Sequence, residues 1–137
     1  MTASGREELR RMNDECTVKL MPGTPVIETV YAGRVDRETL ERLAQQTFEL
    51  FRASGATLLL ANCERMQGGH TYADLMHVAT TYAPRAARDA VREAVVLPAD
   101  PASTAAIRVW ETAAANRGLN VRLFADRDAA LAWLTSG

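Results

Sequence analysis

The 137-residue chain carries 16 Lys and Arg against 17 Asp and Glu, for a formal net charge of -1, and is 47% hydrophobic and 24% charged. That length and balance describe one ordinary soluble globular domain, able to bury a core without metal or disulfide staples. The near-neutral charge argues against a nucleic-acid binder, no apolar run reaches membrane-spanning length, and the N-terminus lacks the apolar core of a secretory leader.

Residues 1–15 are polar and charge-rich, with Glu7, Glu8, Arg10 and Arg11 around isolated apolar positions, and predict a flexible arm ahead of a domain over 16–137. Thr17–Met21 reads as a strand with Val18 and Leu20 on one face. The turn Pro22-Gly23-Thr24-Pro25 and a second strand, Val26–Ala32, make an antiparallel hairpin at a sheet edge. Asp36 is an N-cap for a helix whose Leu40, Leu43, Ala44, Thr47, Leu50 and Phe51 form one stripe, and Gly55 closes it.

Thr57–Ala61 follows as a short, unbroken apolar run, the pattern of a central strand buried on both faces. A helix is predicted from Thr71 to about Arg88, carrying Leu75, Met76, Val78, Ala79 and Tyr82, with a bend or restart at Pro84. Glu93–Leu97 is the next strand, and Pro98–Pro101 ends it. Ser103 is placed as the cap of a third helix, on which Ile107, Trp110, Ala113 and Ala114 share a face. Asn120–Phe124 is the last strand. Asp126 caps the last helix, which is expected to bury Ala130, Trp133 and Leu134. The order β-β-α-β-α-β-α-β-α predicts an α/β sandwich: a largely parallel sheet of about five strands, an N-terminal β-hairpin and about four helices.

This order carries two local signatures. Val121-Arg-Leu-Phe124, Asp126 and Ala130-Leu-Ala-Trp133-Leu134 form a closing strand and a helix with an Ala-x-x-Trp-Leu ending, and Val91-Arg-Glu-Ala-Val-Val96 has an Arg-x-Ala-Val-Val strand entry. Over roughly Cys16 to Leu134 the chain resembles the SpoIIAA-like branch of the STAS superfamily, the fold of bacterial anti-sigma-factor antagonists. The resemblance implies a non-enzymatic regulatory or protein-interaction domain; the alternative it leaves open is a carrier or sensor of a small apolar or lipid-like ligand. Such antagonists carry a phosphorylatable Ser or Thr at the start of the helix after the central strand, commonly preceded by Asp. Here no Asp-Ser pair is present, and Thr71 is the only hydroxyl near that place, which makes it the candidate phosphoacceptor.

Ligands of open α/β sheets bind outside the carboxyl ends of the strands. The longest connection there, Cys63 to Tyr72, is therefore the expected functional loop, with Gly68, Gly69, His70, Thr71 and Tyr72 as its binding residues. The two glycines allow close backbone approach but match neither a Walker loop nor a dinucleotide fingerprint. His70 and His77, seven residues apart, lack metal-pair spacing, and no cofactor or metal is expected. A nucleophilic Cys63 with His70 as base is a third reading, from their place in one loop. Cys16 and Cys63 form no CxxC pair and predict free thiols in a reducing cytoplasm.

Overall fold

A computed structural model describes residues 15–136. The arm expected over 1–15 lies, but for its last residue, outside the described residues. Five strands form one sheet in the order β1-β2-β3-β4-β5: β1 Thr17–Leu20, β2 Val26–Gly33, β3 Leu58–Met66, β4 Arg92–Val96 and β5 Asn120–Phe124. β1 pairs antiparallel with β2, and every other pair is parallel. Four helices connect or follow them: α1 Arg37–Ser54, α2 Tyr72–Arg88, α3 Pro101–Asn116 and α4 Arg127–Thr135.

Because β2 to β5 are laid down in sequential order, crossovers of one hand put all three connecting helices on one face. Leu40 of α1, Val78 and Tyr82 of α2 and Ile107 of α3 accordingly share a core with Ala61 and Val95 of the sheet. The other face is covered by α4, whose Ala130 and Leu134 pack on Val26, Leu60, Ala94 and Val96. Arg127 fastens α4 to the sheet through two hydrogen bonds, at 2.9 and 3.0 Å, to the buried carboxylate of Glu28. Burial pushes that carboxyl up, but hydrogen bonds from Arg127 and Asn62 outweigh it and hold the group below its ordinary range.

Thr71 caps α2 by accepting an amide of its first turn. The caps of α1 and α4 follow the sequence at Asp36 and Asp126, each accepting in the same way. The cap of α3 does not. Asp100 accepts from the Ser103 amide at 3.0 Å with Pro101 in the first turn, and Ser103 is a buried residue two positions into the helix. Pro84 does not interrupt α2, which is a single helix through it. Trp133 is half-buried, with Phe124 tilted against it at 5.7 Å between ring centres and the Arg92 guanidinium over its ring, 4.3 Å from the centre. Trp133→Ala is therefore expected to cost about 2 kcal/mol, less than a fully enclosed Trp; a urea-melt midpoint unchanged from wild type would contradict this.

The largest departure from expectation concerns the connection after the central strand. β3 continues through Cys63, Glu64 and Arg65 to Met66, because β2 runs on to Gly33 and supplies a pairing partner beyond the end of β4. Exposed Glu64 and Arg65 lie between buried Cys63 and Met66. The expected loop from Cys63 to Tyr72 is thereby reduced to residues 67–71.

Candidate functional site

The shortened loop is tied down rather than free. Gln67 donates to the Gly33 carbonyl at 2.8 Å, and the Gly68 carbonyl accepts from the Val35 amide at 2.8 Å. The Gly68 amide donates to Ser103 Oγ at 2.9 Å, which itself donates to Asp100 at 2.7 Å. His70 Nδ1 lies 2.8 Å from the Val35 carbonyl, which fixes the proton on that nitrogen, while Nε2 is buried with no partner among the described residues. Gly68 and Gly69 have φ of 70° and 104°, a region open chiefly to glycine. Gly69 also presses on the backbone of Val35, so the pair serves loop closure rather than a free anion cradle.

Thr71 and Tyr72 open α2. Thr71 Oγ1 accepts from the Asp74 amide at 3.1 Å, and the Asp74 carboxylate accepts from the Thr71 amide at 2.8 Å, a complete capping box. Thr71→Ala should lower stability by about 1 kcal/mol and Thr71→Ser should restore it; denaturant melts in which all three proteins agree would contradict that role. Tyr72 is 66% exposed, against 41% for Leu20, the other large apolar side chain that stands out among the described residues. It borders a groove of about 420 Å³ between α2 and α3, together with Met76, Arg108, Val109 and Arg117.

The five predicted residues therefore divide. Gly68, Gly69 and His70 hold the loop to Val35 and α3, whereas Thr71 and Tyr72 form an exposed helix start at the groove. A second hollow, about 680 Å³, opens at the carboxyl ends of the strands around Pro98, Ala99 and Asp126–Asp128, and none of the five lines it.

Cys63 and His70 do not form a nucleophile–base pair. Cys63 faces the core from β3 and is 2% exposed, burial pushes its thiol well above the ordinary range, and the two side chains share no hydrogen bond. His77 meets Glu41 of α1 across the α1–α2 contact. Among the described residues no three His, Cys, Asp or Glu side chains gather as metal ligands.

Sequence reasoning missed an interior site. Two apolar lobes of about 50 Å³ each lie between the sheet and α1–α3, and both are bordered by Tyr31, Val78, Glu93 and Trp110. Glu93, in β4, is 4% exposed and accepts a 2.7 Å hydrogen bond from the Trp110 indole. Burial pushes its carboxyl up to about 7, against the opposing pull of that bond. Tyr31, in β2, is half-buried and borders both lobes. Burial, and then the neighbouring Cys63, Glu93 and Cys16, push its phenol well above the ordinary range. The β2–β3 register slips at this point: Val30 pairs with Asn62 but Ala32 pairs with Arg65, leaving Cys63 and Glu64 opposite Tyr31 alone. Such a bulge re-aims side chains beside a site.

A family model described as SpoIIAA-like matches residues 26–135. Among solved structures, the anti-sigma factor antagonist SpoIIAA in its unphosphorylated form superposes with a TM-score of 0.58 at 13% identity, covering 87% of this chain and 95% of that one. The Bacillus cell fate determinant SpoIIAA in its phosphorylated form gives 0.53 at 13% identity, over 84% and 96%. An uncharacterised protein of the DUF3478 family with a SpoIIAA-like fold, from Shewanella loihica PV-4, gives 0.56 at 15% identity, over 88% and 92%. No curated protein matches the chain.

Proposed function

The chain belongs to the SpoIIAA-like family, and from that membership we propose that it is a non-enzymatic regulatory domain that docks a partner protein on the start of α2. One observation carries this reading: Tyr72 stands 66% exposed at the mouth of the α2–α3 groove, with Met76, Arg108 and Arg117 beside it. Tyr, Met and Arg are the side chains enriched at protein interfaces, and here they stand together at one groove. Thr71 is the candidate phosphoacceptor. A phosphate there would gain from the positive end of the helix but would meet the Asp74 carboxylate, so modification would rebuild the first turn that presents Tyr72.

The working unit is residues 16–137, acting in the cytoplasm without nucleic acid, metal or cofactor; no helix among the described residues is long and apolar enough to cross a membrane. The test is co-purification from the native host with tagged full-length chain. Tyr72→Ser and Arg108→Glu should each lose the same partner band while Glu49→Gln keeps it. Both substitutions sit on the surface and should change stability by no more than about 0.5 kcal/mol. Retention of every band by both variants would move the docking surface elsewhere.

The alternative reading, a carrier or sensor of a small apolar ligand, is favoured by a different observation. A domain of this kind has no structural need for two apolar lobes around a buried acid, and burying a carboxyl without a cation is unfavourable.

A further inference from the structure

Glu93 poses a problem that packing does not solve. Its carboxyl sits on the sheet face shared by Val91 and Val95, enclosed by the apolar side chains of β3 and of α1–α3. One oxygen accepts from Trp110; the other has no hydrogen-bond partner among the described residues and is not among the sealed, unsatisfied atoms, so it borders the open space. Tyr31 borders both lobes as well, and its hydroxyl makes no hydrogen bond among the described residues. The titratable groups around the carboxyl are Tyr31, Cys63 and Cys16, and no Lys, Arg or His lines either lobe. The chamber thus offers an acceptor and a hydroxyl to whatever enters, inside walls that are otherwise hydrocarbon.

We propose that this chamber is a binding site for a small molecule with a short apolar body and one hydrogen-bond-donating head, best a protonated primary amine, received by Glu93 with Tyr31 beside it. The inference rests on the alternative, ligand-carrying reading and names its ligand class. The head is specified by the free carboxyl oxygen, because a charge-assisted N–H···O bond in a water-poor chamber is stronger than a neutral one. The body is specified by volume. The two lobes of about 50 Å³ together fall short of the roughly 150 Å³ that holds benzene in an engineered apolar core, so a full acyl chain does not fit this arrangement. At pH 8, where the carboxyl is ionised, its charge disfavours an anionic head.

The test is a titration of the full-length protein at pH 8 with n-butylamine, n-butanol, butyrate and xenon, following the indole N–H of Trp110 by NMR. Wild type should bind butylamine, and less tightly butanol, with a saturating shift of that resonance, at least about tenfold more tightly than butyrate. Glu93→Leu and Glu93→Gln should each weaken butylamine by about tenfold or more while binding of xenon, a single apolar atom, persists. The Gln variant keeps an acceptor for Trp110 and guards against a folding defect in the Leu variant. Equal affinity for amine and butyrate, or amine binding unchanged in both variants, overturns the proposal. Xenon binding without amine binding would leave the carrier reading standing and remove the role of Glu93. No perturbation by any of the four overturns both.

Discussion

Replacing Glu93 by Gln should make the protein more stable at pH 8, by on the order of 3 kcal/mol, and leave it nearly unchanged at pH 4. The sign follows from the two states. In the unfolded chain the carboxyl ionises near its ordinary 4.5, whereas in the folded chain burial holds it protonated up to about 7. Below 4.5 both states are protonated and the native state carries no penalty. As pH rises from about 4.5 to about 7 the unfolded state releases its proton first, so wild type loses stability across that window. Gln has no proton to lose and still offers Trp110 an acceptor. Glu28 runs the other way: its folded value is lowered, so its contribution is present above its ordinary value and falls away in acid. It is common to wild type and variant and cancels in their difference. Urea melts of both proteins at pH 4 and pH 8 check this. A difference that is the same at both pH values, or wild type the more stable at pH 8, would show that Glu93 is not held neutral by burial.

Gly69→Ala should destabilise the domain by about 3 kcal/mol or more, while Gly68→Ala costs about 1 kcal/mol. Both glycines have positive φ, but their surroundings differ. A Cβ at Gly68 meets nothing within 4 Å; one at Gly69 would stand 2.5 Å from the Val35 nitrogen and 3.0 Å from its carbonyl carbon and oxygen. Those are backbone atoms of a fully buried residue and cannot swing aside. Relief requires pulling the loop from Val35, which removes the Val35–Gly68 and His70–Val35 hydrogen bonds as well. Thermal melts of the two single variants separate the cases. Equal losses would mean that φ alone matters and that the close approach to Val35 relaxes freely.

How much of this was legible in the sequence depends on the range of the interaction. The hairpin, the central strand and the caps at Asp36 and Asp126 are written in residues within a few positions of one another, and they stand where the local pattern put them. The end of β3 was not legible, because Glu64-Arg65 reads as loop until β2 is seen to continue to Gly33. Ser103 reads as a cap because its residue type is a good one; Asp100 beside Pro101 is better placed, and Ser103 instead receives the distant Gly68 amide. The need for glycine at 69 arises from Val35, thirty-four residues away.

Glu93 did leave a signal. Two-residue alternation sets it on the same strand face as Val91 and Val95, both buried, and an acid in that register stands out against a core face. In the sequence it reads only as the opening residue of the strand Glu93–Leu97. The partner for that face, Trp110 on α3, became visible only with the packing of α3 on the sheet. The surface candidates fared differently. Thr71 and Tyr72 stand out in the sequence for their place at a helix start; in the fold Tyr72 alone of the five candidates borders the α2–α3 groove.

The claim that the start of α2 is a docking surface is tested most directly by a photo-activated cross-linking residue placed at position 72 of the full-length chain in its native host. The same residue at exposed Arg52 on α1 serves as the control. Irradiation should give one discrete higher-mass adduct from position 72, absent from position 52 and abolished when Arg108→Glu is added. No adduct at 72, or the same adduct from both positions, would contradict the account.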